Sequence, residues 1–418
     1  MKAVIHIGTH RTGTSAIQHF LKQNRESLKK QGVFIPTGQF SGWAKQPEVF
    51  IVAANPEQWH LHPLLFQCGH FLGNQVFKKK MTQKIQEGRW KTFWHNIQKN
   101  CKQDDLVVFS CEELELLTKG EVGNLRTLMN SLFDDVTIVL YLRRQPEFLV
   151  SFYNSAIRLR AMQWNLPDYL KQPDEQSILA YHELVKRWSV FGKNKLKIRI
   201  FDRREFLNND LLSDFANVIG IDLHGLKRVE DQNLSIDSSK IEFLRLLNAH
   251  IPAFEQCVRN PASVQLLKCF NSIFGSVEKS QKAYHLTRQE ARYILDMCKE
   301  GNDGIAREYF GRETLFSDSV SMYPEEVASP HNLTIEKYAE YTAALFGELR
   351  ERQKIARQLK SLWTRIKKGA SKTFGGYFPS TEEPSSAVNC ELLKIAGTEA
   401  DVSQEVQVLE HPANKKAA

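Results

Sequence analysis

The sequence predicts an α/β fold, a central and mostly parallel sheet followed by a helical C-terminal portion. Three observations predict it. Continuous apolar runs at 106–110 (LVVFS) and 136–142 (VTIVLYL) have the composition of strands buried on both faces. Segments of helical periodicity alternate with these runs, as crossover helices do between parallel strands. Beyond about residue 235 the strand signal stops, and apolar residues recur at spacings of three and four.

In chain order, a first buried strand is expected at 3–8, a tight loop at 9–13, and a helix from about 14 to 30. On that helix Ala16, Ile17, Phe20, Leu21 and Leu28 fall near one face. Residues 32–36 (GVFIP) read as a short extended exit. Residues 37–104, with aromatic, histidine and lysine residues in helical stretches, read as a mostly helical insertion on the acceptor side of any site. The strands at 106–110 and 136–142 follow, and Pro146 suits the first turn of the next helix. A helix around 181–191 precedes a strand at 196–201 (LKIRIF). In the C-terminal portion 241–247, 291–298 and 338–349 keep helical spacing. The segment 349–368 reads as a basic amphipathic helix with Ile355, Leu359, Leu362, Trp363 and Ile366 on one side. The organisation is therefore a main domain over 1–315, a helical extension over 316–368, and a tail over 369–418 whose Gly, Ser, Pro, Thr and Glu content predicts disorder.

Composition excludes several classes. With 418 residues, 42% apolar and 25% charged, the chain is too long for a disulfide mini-scaffold and too apolar for wholesale disorder. Lysine and arginine exceed the acids by 56 − 48 = 8, an excess that suits anionic ligands but is too dilute to indicate nucleic acid. The seven cysteines form no CxxC pair, so neither a zinc ribbon nor a disulfide framework is indicated. The N-terminal apolar run is too short for a signal peptide and no run approaches a membrane span, which predicts a cytoplasmic setting. The sequons at Asn233 and Asn332 are then accidental.

The loop Gly8-Thr9-His10-Arg11-Thr12-Gly13-Thr14-Ser15 lies between a predicted strand and helix. Its Gly-x4-Gly spacing matches a phosphate loop, which aims backbone N–H groups and a helix N-terminus at an anion. It departs from the ATP-binding version: Thr14 takes the lysine position, and the loop's only cation is Arg11. No strand ends in the aspartate that would help hold magnesium, so no metal is expected. Chance glycines in a strand–turn–helix are the alternative. A second element answers it. Arg143 leaves the strand at 136–142, and Ser151 follows eight residues later in the next helix, where guanidinium and hydroxyl could converge on one dianion. Alone, the Arg143-Arg144 pair could equally make surface ion pairs.

The segment from His6 to Ser15, with Gln18, resembles the 5′-phosphosulfate loop of PAPS-dependent sulfotransferases of the P-loop-containing, bacterial type. Tyr141-Leu142-Arg143-Arg144-Gln145-Pro146 through Ser151 resembles their 3′-phosphate motif. Looser matches are Val107–Glu112 as strand–Ser–x–Glu, the strand near 196–202, and Asn233-Leu234-Ser235; in order they cover roughly residues 1–315. The resemblance implies a P-loop NTPase-like fold and sulfuryl transfer from 3′-phosphoadenosine 5′-phosphosulfate (PAPS) to a hydroxyl or amine, with a glycan a candidate acceptor. It places Arg11, Thr12, Gly13, Thr14 and Ser15 at the 5′-phosphate, and Arg143 and Ser151 at the 3′-phosphate. Arg11 stands where the family usually has lysine. It keeps the charge but cannot release a proton, so its catalytic part is electrostatic. Glu112, just past a buried strand, is the first candidate base; Glu113 is expected to point away, and His10 is the third candidate. Glu112 as a helix cap or a structural partner of Arg11 stays open. Two other readings also stay open: a nucleotide kinase with a degenerate loop, and a non-catalytic nucleotide- or glycan-binding module.

Other signals are weaker. His60, His62, Cys68 and His70 match no closed zinc pattern and read as acceptor lining. Lys78-Lys79-Lys80 reads as a solvated face. Trp43, Trp59, Trp90, Trp94 and Trp164 could stack on sugars, though core packing is commoner at helical spacing. The basic helix at 349–368 could meet an anionic membrane surface or pack on the domain.

Overall fold

The computed structural model describes residues 1–37, 45–54, 83–160, 162–170, 178–228, 237–251, 254–255, 258–275, 286–326 and 333–373. Trp43, Trp59, the histidines and cysteine at 60–70, Lys78-Lys79-Lys80, the segment 233–235, Asn332 and the tail from 374 lie outside the described residues.

Five strands, β1 (Lys2–His6), β2 (Val33–Phe34), β3 (Leu106–Ser110), β4 (Asp135–Leu142) and β5 (Leu196–Ile200), form one sheet in the order β2-β3-β1-β4-β5, every pair parallel. The α/β expectation holds. Successive strand residues go to opposite faces, as the pleat requires. Ala3, Ile5, Val107, Phe109, Ile138 and Leu140 share one core with α3 (Pro47–Ala53), α4 (Gln83–Asn100), α5 (Lys119–Leu132) and α8 (Tyr181–Trp188). Val4, Val108, Val139 and Tyr141 share the other with α1 (Thr14–Gln23) and α9 (Leu211–Ile219). Burial on both faces is why these strands read as unbroken apolar runs. The helices α6 (Gln145–Arg160), α7 (Leu166–Leu170), α10 (Ser238–Asn248), α11 (Pro261–Phe274), α12 (Arg288–Ile305) and α13 (Ile335–Thr373) close a further core around Phe152, Phe243, Phe270 and Tyr341.

Three expectations are corrected. The helix expected over 14–30 is broken at Asn24 into α1 and α2 (Arg25–Lys30). The Asn24 amide donates to the Phe20 and Lys227 carbonyls at 2.9 and 2.8 Å and accepts from the Lys227 N–H at 2.7 Å, so a distant segment clamps the break. The C-terminal portion is not purely helical, because β6 (Phe254–Glu255) and β7 (Val258–Arg259) form an antiparallel hairpin. The segments 338–349 and 349–368 belong to one 39-residue helix, α13, since no Gly–Pro stop separates them. No helix among the described residues is long and apolar enough to cross a membrane.

The strand order places β1 between β3 and β4, with crossovers leaving on both sides. The loops after β1, β3 and β4 therefore meet over the carboxyl ends of the strands, where open parallel sheets bind ligands.

Candidate functional site

The loop after β1 owes its shape to three left-handed residues. Gly8 (φ +64°) and Gly13 (φ +76°) also pack too tightly for a side chain: a Cβ would lie 2.6 Å from Thr14 Cγ2 at Gly8 and 2.3 Å from Leu211 Cδ2 at Gly13. Arg11 holds φ +65° without being glycine, a strain that costs on the order of 1–2 kcal/mol and that clusters at functional positions. The loop is braced from within. Thr9 Oγ1 donates to the Tyr141 carbonyl at 3.0 Å, and Thr12 Oγ1 donates to the Thr9 carbonyl at 2.6 Å. With its hydroxyl used this way, Thr12 has its backbone N–H left to offer a ligand. Helix α1 then begins at Thr14 with no side-chain cap. Its first N–H groups, on Thr14, Ser15 and Ala16, have no intrahelical acceptor, and together with the helix dipole they suit an anion.

One wall of the crevice is cationic. Arg11 Nε donates to Ser151 Oγ of α6 at 2.8 Å, and Arg143 Nη1 donates to the Arg11 carbonyl at 3.1 Å. Three residues singled out in two separate motifs thus meet. The Arg143 guanidinium also lies 5.6 Å from the Phe201 ring centroid, a cation–π distance. Burial, then the charges of Arg143 and Arg158, bring the Arg11 guanidinium down to about 10, and burial lowers that of Arg143; both stay charged at neutral pH. Beside them opens a cavity of about 680 Å³, lined by Arg143, Arg144, Phe201, Arg204, Arg312 and Phe316 among others. Arg144 pairs with Glu147, Arg204 with Asp202 and Arg312 with Glu205. Arg143 is the one of these four arginines without a carboxylate partner among the described residues.

The opposite wall, after β3, is a set of paired charges. Glu112 opens a 3-10 turn, Glu112–Leu116, beside Gly8. Its carboxylate accepts from Gln18 Nε2 and from Lys45 Nζ, each at 2.9 Å, and Lys45 also bonds Glu113. Burial alone would raise the Glu112 carboxyl. The charge of Lys45, that of His10 when its ring is protonated, and the hydrogen bonds from Lys45 and Gln18 outweigh burial and hold it well below the usual carboxylate range. Burial would lower the Lys45 ammonium, but Glu112 and Glu113 push it well up. Glu115 holds His10 at two points, since the His10 backbone N–H donates to Glu115 Oε2 at 3.1 Å and its ring Nδ1 bonds Glu115 Oε1, and the ring also stands edge-on to Phe152, centroids 5.8 Å apart. Beneath the loop, His6 Nδ1 shares a hydrogen bond with Ser110 Oγ at 2.9 Å, and burial, against the opposing charge of Glu112, draws His6 down to about 4.

Glu112 pairs with Lys45 rather than with Arg11, and Glu113 turns to the same lysine. Lys45 and Glu115 went unnoticed in the sequence. Glu115 follows Glu112 by three residues, a detectable spacing on a helical turn, whereas nothing local marks Lys45. Among the described residues no group of three or more His, Cys, Asp and Glu side chains is placed to hold a metal ion.

No family model matches the chain. It is similar to a protein of Archaeoglobus fulgidus described only as an uncharacterized protein, 24% identical over 232 residues, or 54% of this chain and 61% of that one; the match thus spans less than two thirds of the relative's length. Among solved structures it is similar to the crystal structure of a sulfotransferase from Alicyclobacillus acidocaldarius, at 14% identity and a TM-score of 0.35, over 59% of this chain and 92% of that one.

Proposed function

We propose that this chain is a sulfotransferase that moves the sulfuryl group of PAPS to a hydroxyl or amine of an acceptor, a glycan among the candidates. The observation that carries the proposal is the junction of Arg11 with Ser151 and Arg143, at 2.8 and 3.1 Å. It joins an anion-binding helix start to a second cationic grip, which suits a donor with phosphates at two places. The absence of the ATP-binding lysine at Thr14 counts against the kinase reading.

In this reading the N–H groups of Thr12, Gly13, Thr14 and Ser15 take the 5′-phosphate, and Arg143 with Ser151 takes the 3′-phosphate. As the acceptor oxygen bonds to sulfur, its proton passes to a base. The bond from sulfur to the 5′-phosphate oxygen breaks, and its electron pair stays on that oxygen, where Arg11 stabilises the charge. The base we favour is His10. Glu115 on Nδ1 makes Nε2 the basic nitrogen, a tautomer assigned from the hydrogen bond. Glu112 is ionised but a weak base, held so by Lys45 and Gln18, and it acts as a fixed carboxylate beside the loop. Glu115→Gln should therefore lower turnover by about 10²–10⁴ with unchanged nucleotide affinity. A larger loss in Glu112→Gln than in Glu115→Gln would return the base role to Glu112.

The donor is tested first by thermal melting. 3′,5′-ADP at a hundred times its Kd should stabilise the fold by about 2.7 kcal/mol. Adenosine 5′-phosphate should do much less, because Arg143 and Ser151 lose their partner; equal stabilisation would defeat the two-site reading. Transfer of label from PAPS to a panel of hydroxylated acceptors in EDTA separates the enzyme from a binding module, which would not turn over, and from a kinase, which would need magnesium and ATP.

A further inference from the structure

Helix α13 carries a charge that the rest of the chain does not share. Between Arg350 and Thr373 stand nine lysines and arginines and one acid, Glu351, a net of +8. The whole chain is also +8, so everything outside this stretch balances at 56 − 9 = 47 bases and 48 − 1 = 47 acids. The stretch is helical as far as Thr373, and it begins just past Leu349, the last residue by which α13 joins the core among the described residues. Up to that point the helix packs through Tyr341, Leu345 and Leu349, with the Tyr341 ring against Phe243 and Phe274. At about 100° per residue the same face is taken up again by positions Ile355, Leu359, Leu362, Trp363 and Ile366, in a sector about 100° wide. Lys354, Arg357 and Lys368 fall on the opposite side, and Lys360, Arg365 and Lys367 flank the sector. Lys354 and Arg357 are exposed.

A basic side and an apolar side with a tryptophan, on one helix, suit a partner that is anionic at its surface and apolar just beneath. The body of the protein offers no net negative charge to draw the bases in. A second copy would set the same nine bases against these, with Glu351 alone to answer them. A nucleic acid would take up the bases and leave the apolar stripe in water. A lipid surface takes up both: acyl chains receive the stripe, tryptophan is favoured at headgroup depth, and anionic headgroups meet the bases. The stretch is about 36 Å long. No described helix is long and apolar enough to cross a membrane, so this one would lie along the surface. We propose that the C-terminal half of α13 docks the protein on a bilayer rich in anionic phospholipid, in the plane of the interface, with the 355–366 stripe toward the acyl chains. The proposal uses no residue of the crevice and no nucleotide, so it stands apart from the sulfotransferase reading.

The test floats the full chain with vesicles of phosphatidylcholine alone and of phosphatidylcholine with about 30% phosphatidylserine. The wild type should bind the anionic vesicles about 100-fold more tightly or better, at about fivefold per basic residue near the surface. The preference should shrink as salt rises toward about 1 M and the screening length falls to about 3 Å. Lys360→Gln, Arg365→Gln, Lys367→Gln and Lys368→Gln together should weaken binding by about 100- to 1,000-fold. Leu362→Gln with Trp363→Gln keeps every charge and should weaken it by about 100-fold as well. Both variants should melt with the wild type, since their positions lie past the core. The proposal is overturned by a wild type that ignores phosphatidylserine, or by vesicle binding that survives the apolar variant, which would mark a contact through charge alone, as with a nucleic acid. A lower melting temperature in the apolar variant would also overturn it, by seating the stripe on the body. So would a vesicle-free dimer in sedimentation that the apolar variant dissolves, which would give the face to a second copy. A chain that binds no 3′,5′-ADP yet floats with anionic vesicles would fail the donor reading and uphold this one.

Discussion

The two walls of the crevice hold their charges in opposite ways. On the β4–α6 wall, Arg11 and Arg143 meet a hydroxyl, a backbone carbonyl and an aromatic ring, and neither meets a carboxylate among the described residues. On the β3 wall, Lys45 joins Glu112 and Glu113, and His10 joins Glu115. A buried charge is tolerated when it is paired within the fold, as on the β3 wall; Arg11 is exposed and Arg143 half-buried, so their guanidinium groups can stay without a carboxylate and remain open to an anion. In the function proposed above, the paired wall holds the shape of the site and the unpaired wall holds the ligand.

Breaking the paired wall should have the largest effect. Lys45→Met leaves two buried carboxylates without their cation and should cost about 3–5 kcal/mol of unfolding free energy. Adding Glu113→Gln should recover part of that in urea titrations, because one uncompensated charge goes. A loss below about 1 kcal/mol would place Lys45 with ordinary surface pairs.

The unpaired wall should answer the other way. Arg11→Ala removes a guanidinium without a carboxylate partner, so stability should hold while transfer slows by about 10²–10³, the usual loss for one preorganised donor. Arg11→Lys should restore much of the rate. If Arg11→Ala instead weakened 3′,5′-ADP binding with turnover unchanged, the arginine would be a positioning contact only.

The smallest effect concerns pH and sharpens the contrast from beneath the loop. His6, drawn down to about 4 by burial, is neutral in the fold and titrates near 6.5 when unfolded. Its contribution is fully present above pH 6.5 and is lost as pH falls from there through 4, about 3 kcal/mol in all. Glu112, also depressed, contributes above its unfolded value near 4.5 and loses its share only as pH falls below it. Urea unfolding at pH 7.5 and 5.0 should therefore show a loss that His6→Gln removes and Glu112→Gln leaves in place.

Much of this site was legible because its signals are local. Gly8 and Gly13 are required by the turn and by the packing of Thr14 and Leu211 against it, and a glycine spacing records that on one short segment. Arg143 and Ser151 sit at a strand end and on the helix after it, so their spacing survives in sequence. The insertion at 37–104 was legible as helical through α3 and α4, yet Lys45 carried no local mark: its partner Glu112 is 67 residues away. The break at Asn24 was hidden likewise, since Lys227 lies 203 residues on.

By itself the sequence determined the class of fold, the central strands and the glycine-built turn of the first loop. Hydrophobic periodicity and turn chemistry act over a few residues, and those residues are adjacent in the chain. Only the tertiary structure decided which charges are paired. That Arg11 reaches Ser151, 140 residues away, while Glu112 turns to Lys45 and not to Arg11, follows from the strand order that sets β1 between β3 and β4. Strand order is a property of how distant segments pack, and a charge's role depends on the partner that packing brings to it.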